Sequence, residues 1–225
     1  MCILSIFSEE NGNFILTHNR DESILRKTSP TVEQREFFGT KATGPVDLNS
    51  GGTWIYHTDK YAVCVLNGAY DKHRPLPPYR MSRGLIILEL LKFPSIYDFI
   101  NEINLTEIED FTMVMGDFET REKHILVWDG TRKFTENHTS ESCIVRSSST
   151  LYSTVEKASH QEIFMNHQPI NPKSIFKLHQ ALAMPENNRF PTVQTTSITQ
   201  IIYSNQSVEL KFCPISTETT PDLAV

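Results

Sequence analysis

A cysteine at position 2 puts a nucleophile at the start of the chain, in the opening stretch MCILSIFSEENGNFILTHNRDE. Removal of Met1 would give that residue both a thiol and a free α-amine. An α-amine titrates near about 7.7–8.0, far below a lysine, and can take a thiol proton around neutral pH. The chemistry on offer is acyl transfer, with thiolate attack on a carbonyl and the chain's own amine as the base. Asp21 would orient that amine, and Arg20 would hold the carboxylate or an acyl substrate. Free cysteine also behaves as a small hydrophobe, so a buried strand position accounts for Cys2 as well.

The elements that must position these groups begin with two apolar runs, residues 2–7 and 14–18, on either side of Asn11-Gly12. Asn-Gly between apolar runs predicts a hairpin, because both residues tolerate the positive φ of a type I′ turn. With Asn11 and Gly12 as the two turn residues, Glu10 faces Asn13. An unbulged ladder then puts Asp21 opposite Cys2, with Asn19 one pleat away on the same face.

At 225 residues, without a linker-like stretch, the chain is long enough for one substantial core. Its 21 basic against 27 acidic residues leave no basic footprint for nucleic acid. No apolar run reaches bilayer-spanning length, so stable membrane insertion is not expected. The opening apolar run is too short for a signal peptide and lacks a basic flank, which predicts a cytoplasmic protein. Cys2, Cys64, Cys143 and Cys213 lie far apart and form no CxxC pair. That spacing argues against zinc and, in a reducing compartment, against structural disulfides. His160 and His167 have no carboxylate or cysteine between them at ligand spacing, so no metal site is expected. HExxH, GxSxG and dinucleotide fingerprints are absent, and no cofactor is implied.

Residues 23–50 read as one long irregular loop ending in Gly51-Gly52-Thr53-Trp54, and 54–57 and 61–66 read as strands. The loop at 69–78 is proline-rich. Apolar spacings of three and four predict a helix over 79–92, and Pro94-Ser95 opens a second to about 103. Strands are expected at 111–115, 124–128, 133–137 and Cys143–Ser147. Ser153 with Glu156 forms a capping box for a helix to about 167. Asn171-Pro172 starts another, ending near 184. Strands at 196–203 and 207–212 close the fold. The order of strands and helices predicts an α+β class with antiparallel sheets sandwiched between helix layers. A single domain is expected over residues 1–213, with a loose tail at 214–225.

Several of these sites together resemble one family. Met1-Cys2-Ile3, Asn19-Arg20-Asp21-Glu22, Gly51-Gly52-Thr53-Trp54, Asn67 and Ser82-Arg83-Gly84 occur in order, as in the NRDE family of transport and Golgi organisation protein 2. That family is in turn similar to N-terminal-nucleophile hydrolases of the choloylglycine hydrolase and penicillin V acylase type. The resemblance implies a four-layer αββα fold and cleavage of non-peptide amide bonds. It makes Cys2 the nucleophile, Asp21 the group that positions its α-amine, and Asn67 the oxyanion donor. Asn19 and Trp54 fall in its motifs and are expected, with Ser148, to contact substrate.

Three positions depart from the hydrolase pattern. An arginine three residues before the aspartate is His18 here, with Arg20 adjacent to Asp21. A second asparagine is replaced by Ser148, and an arginine near the last strand pair by Ser197. The expected function is an N-terminal-cysteine amidohydrolase acting on a small acyl amide or thioester. The alternative is a non-catalytic protein that keeps the fold and handles haem or a lipid.

Overall fold

The computed structural model describes residues 2–8, 12–139, 141–187 and 189–215. The first two strands are β1 (Cys2–Ser8) and β2 (Phe14–Ser23). They are followed by β3 (Glu33–Phe37), β4 (Thr40–Gly44), β5 (Ile55–His57) and β6 (Tyr61–Asn67). Helix α1 (Arg83–Ile86) runs directly into a 3₁₀ helix (Ile87–Lys92), and α2 (Ile96–Glu102) follows. Strands β7 (Phe111–Asp117), β8 (Lys123–Trp128), β9 (Lys133–His138) and β10 (Cys143–Ser147) come next. Helices α3 (Thr154–Met165) and α4 (Pro172–Ala181) precede β11 (Val193–Ser204) and β12 (Ser207–Pro214).

All pairings between the strands are antiparallel. One sheet has the order β10-β1-β2-β11-β12 and the other β3-β4-β5-β6-β7-β8-β9. The sheets face each other, and helices cover both outer faces. On the inner face, Cys2, Leu4 and Ile6 of β1 and Leu16 of β2 join Cys64, Leu66 and Val114 of the other sheet in one core. Gly116 of β7 lies so close to Phe14 that a Cβ there would stand 3.0 Å from the ring. Ile3, Phe7 and Ile15 point the other way and meet Phe164 of α3 and Ile175 of α4. Burial on both faces explains why β1 reads as an apolar run broken only at Ser5 between Cys2 and Phe7, rather than an alternating one.

Three sequence expectations need correction. The hairpin register is one residue off: Cys2 pairs with Arg20, Ile3 with Asn19 and Ser8 with Phe14. The Asn11 turn itself lies outside the described residues, as do Met1 and residues 216–225 of the expected tail. The observed register matches apolar with apolar, Ile6 with Leu16 and Phe7 with Ile15. The two-residue turn would have set Leu4 against Asn19 and buried Arg20 beside Ile3. A one-residue slip turns every side chain to the other face, so core composition decides the register against the turn signal.

The expected loop at 23–50 contains the hairpin β3–β4. Its connection is Phe38-Gly39, both at positive φ (53° and 79°), so an unusual turn residue sits where Asn-Gly would have announced it. The helix expected over 79–92 begins only at Arg83, after extended Ser82, and tightens to 3₁₀ form from Ile87. Helix α3 carries the expected capping box at Ser153/Glu156, and α4, which starts at Asn171-Pro172 as expected, carries a further one at Asn171/Ser174. Among the described residues no helix is long and apolar enough to cross a membrane.

Candidate active site

Strand β2 presents the run Asn19-Arg20-Asp21-Glu22 with its side chains alternating between two faces. Arg20 and Glu22 share the face of Cys2 and line a cavity of about 340 Å³. Asn19 and Asp21 point towards the helix layer. The structure thus brings Cys2, Arg20, Asn67 and Trp54 to one cavity and sets Asn19 and Asp21 behind it.

Arg20 is almost fully buried and fixed on three sides. Its Nη2 lies 3.0 Å from Asp47 Oδ2, its Nη1 donates to Thr196 Oγ1 at 3.3 Å, and its guanidinium stacks 4.3 Å over Trp54. Asp47 also accepts Arg26 Nε at 2.5 Å on the same oxygen, and the N–H groups of Asn49 and Ser50 on the other. Burial works against ionisation of Asp47. The two guanidiniums and the Ser50 N–H outweigh it and hold the carboxyl below its ordinary value.

Asp21 is completely buried. Its Oδ2 accepts the Tyr152 hydroxyl at 2.7 Å and its Oδ1 the Thr195 hydroxyl at 2.5 Å. Burial pushes its carboxyl up to about 6 despite these two donors. Thr195 stands at a register shift of the β11–β2 ladder between Thr195 and Ser197. Such an irregularity re-aims side chains, and here it delivers a hydroxyl to the carboxylate.

Asn19 is tied to α4. Its Nδ2 donates to the His179 carbonyl at 2.9 Å and its Oδ1 meets His179 Nδ1 at 2.8 Å. With Oδ1 left as the acceptor, the Nδ1 of His179 carries the proton and its Nε2 accepts the Ser5 hydroxyl at 2.8 Å. Burial drives His179 down to about 3, so the ring is neutral.

Cys2 is 3% exposed, and burial raises the pKa of its thiol. A hydrogen bond from the Asp21 backbone N–H opposes that rise. Ser148 does not line the cavity. Its N–H donates to the Cys2 carbonyl at 2.9 Å and its hydroxyl to the Asn67 carbonyl at 2.5 Å, which clamps β1 to the end of β6. His18 faces the inner core with neither ring nitrogen partnered among the described residues, as does Ser197 Oγ. Burial keeps His18 well below its ordinary pKa, hence neutral.

The glycine motif is a packing device. A Cβ on Gly52 would run into the backbone of Gly84, and Thr53 N–H donates to the Gly84 carbonyl at 2.9 Å. This contact brings Arg83 to the cavity, where it pairs with Glu109 at 3.0 Å. Asp47, Tyr152, Thr195, Arg83 and Glu109 were not singled out as site residues from sequence. Each is distant in the chain from the partner that gives it meaning, so local spacing carried no signal for them.

The family model for Transport and Golgi organisation 2 matches residues 1–212. The chain belongs to that family. No curated protein matches it by sequence. Among solved structures, the C2A mutant of conjugated bile acid hydrolase from Clostridium perfringens superposes with a TM-score of 0.56 at 10% identity. The match covers 97% of this chain and 94% of that one. Family member and bile acid hydrolase therefore share the N-terminal-nucleophile hydrolase fold, with its two antiparallel sheets between helix layers.

Proposed function

We propose that this family member is an N-terminal-cysteine amidohydrolase acting on a small acyl amide or thioester. The observation that carries this reading is the two-sided arrangement around Cys2. Cys2 lines a cavity that also holds charged side chains, while Asp21 stands behind it with both oxygens anchored by hydroxyls. The fold likeness to a hydrolase solved as a position-2 cysteine mutant supports it.

In the proposed reaction, loss of Met1 frees the Cys2 α-amine, which Asp21 orients and which takes the thiol proton. The thiolate adds to the substrate carbonyl, and Asn67 donates to the developing oxyanion. Collapse expels the amine, or the thiol of a thioester, which takes the proton held by the α-amine. Water then hydrolyses the Cys2 thioester, releasing the acid and restoring the thiol. Arg20 holds its place on Trp54 and Asp47 and offers positive charge beside the reacting carbonyl. The four cysteines are free, as a reducing cytoplasm would keep them, and we place the protein there.

A haem or lipid occupant would press hydrocarbon against the ionic side chains of this cavity, at a desolvation cost that disfavours the carrier reading. The test is labelling by an electrophilic amide probe, with intact mass to establish whether Met1 is gone. Labelling is expected at Cys2 of the processed chain and is expected to vanish in Cys2→Ala with the fold unchanged. Equal labelling of that variant would exclude Cys2 as the nucleophile.

A further inference from the structure

The cavity holds three guanidiniums and three carboxylates, and their pairing is uneven. Arg20 and Arg26 reach Asp47 at 3.0 and 2.5 Å, and Arg83 reaches Glu109 at 3.0 Å. Among the described residues Glu22 stands apart: Oε1 accepts the Ser23 N–H at 2.8 Å, but its ion pair with Arg26 Nη1 is 4.0 Å long. That is too far for a hydrogen bond. Opposite charges at this separation, on one wall of a small cavity, match a ligand that carries an ammonium and a carboxylate on neighbouring atoms.

We propose that Glu22 and Arg26 receive the zwitterionic head of an α-amino acid, with the ammonium on Glu22 and the carboxylate on Arg26. A side-chain amide of the same molecule then reaches Cys2. The second half of this statement rests on Cys2 as the nucleophile; the first half does not.

Spacing sets the length of the ligand. Arg20 sits directly across from Cys2, and Glu22 follows on the same face two residues along, about 7 Å further. A spacer of roughly three to five bonds between head and amide carbon fills that gap once contact distances are included. The exposure of the two side chains sets the orientation: Arg26 is 38% exposed and Glu22 16%, so the ammonium goes inward and the carboxylate faces the mouth. The wall has donors to spare, since Trp54 Nε1 and Ser82 Oγ are buried without a hydrogen-bond partner among the described residues. Burial alone would raise the Glu22 carboxyl. The Ser23 N–H and the Arg20 and Arg26 guanidiniums pull the other way, and the carboxyl lies below its ordinary value.

Two ligand types share this chemistry. The head group is on the acyl side in L-glutamine and on the amine side in Nδ-acetyl-L-ornithine. Calorimetric titration of the purified protein with both, and with their deaminated and decarboxylated analogues, separates them. At least one zwitterion is expected to bind about tenfold more tightly than either of its analogues. Glu22→Gln is expected to erase the preference over the deaminated form, and Arg26→Gln the preference over the decarboxylated form. Affinities within about twofold across each series, no binding of either zwitterion at millimolar concentration, or a preference untouched in both folded variants would overturn the proposal. Binding with these preferences but no release of ammonia or acetate would instead overturn the nucleophilic role of Cys2 and leave the head-group site standing.

Discussion

Asp21 pairs a buried carboxyl with two hydroxyl donors, and the balance between them sets where it titrates. Burial raises it to about 6, while the Tyr152 and Thr195 hydroxyls pull in the opposite direction. Removing one donor therefore lets burial act with less opposition. In Tyr152→Phe the acidic limb of the kcat/KM profile is expected to move to higher pH, because protonated Asp21 no longer orients the amine. An unmoved limb with lowered kcat would show that Tyr152 only shapes the helix layer. Arg20 and Asp21 stood out in the sequence because they are adjacent in one motif, and Cys2 because it is a cysteine at position 2. The partners that tune them did not: Tyr152 and Thr195 lie 131 and 174 positions from Asp21. No periodicity in the chain points to a hydroxyl arriving from so far away.

At the scale of elements, the short helix α1 is placed by backbone contact rather than by its own propensity. Gly52 against Gly84 sets the approach, and the Thr53 N–H fixes it. Gly52→Ala pushes a methyl into backbone that cannot yield, and is expected to cost about 1–3 kcal/mol in urea unfolding. Because Arg83 sits one residue before Gly84, the same variant is expected to weaken ligand affinity. A stability within about 0.5 kcal/mol of wild type would show that α1 shifts freely. Most elements were legible for local reasons: the capping box at Ser153 and the Asn171-Pro172 helix start are both read within a few residues. The β3–β4 hairpin was not, because its strands are polar and its Phe38-Gly39 turn lacks the usual residue types. The β1–β2 register failed differently. The turn signal at Asn11-Gly12 was local, whereas the register answers to cores on both faces of the sheet.

Over the whole molecule, two buried groups oppose each other as pH changes. Folded Asp21 holds its proton more tightly than the unfolded chain does. Its contribution to stability is full below the ordinary value of 3.8 and lost as pH rises to about 6. His179 has the opposite sign: its contribution is full above 6.5 and lost as pH falls towards about 3. The terms are worth roughly 3 and 5 kcal/mol and partly cancel between pH 4 and 6. Asp21→Asn removes the first alone. It is expected to be up to about 3 kcal/mol more stable than wild type at pH 7.5, with the difference closing by pH 4. A constant difference across that range in urea unfolding would mean that Asp21 does not titrate there.

The alternation of β2 between cavity and helix layer also constrains the gene that encodes it. Replacing one codon of Asn19-Arg20-Asp21-Glu22 touches one face. Inserting one codon between the β1–β2 connection and the motif exchanges the faces, sending the anchors into the cavity and Arg20 into the apolar layer beneath the helices. Inserting two restores the faces but slides Arg20 a full pleat away from Cys2. Length, more than identity, is therefore what this strand can least afford to vary. Sequence drift in this region can proceed by substitution but is closed to single insertions and deletions.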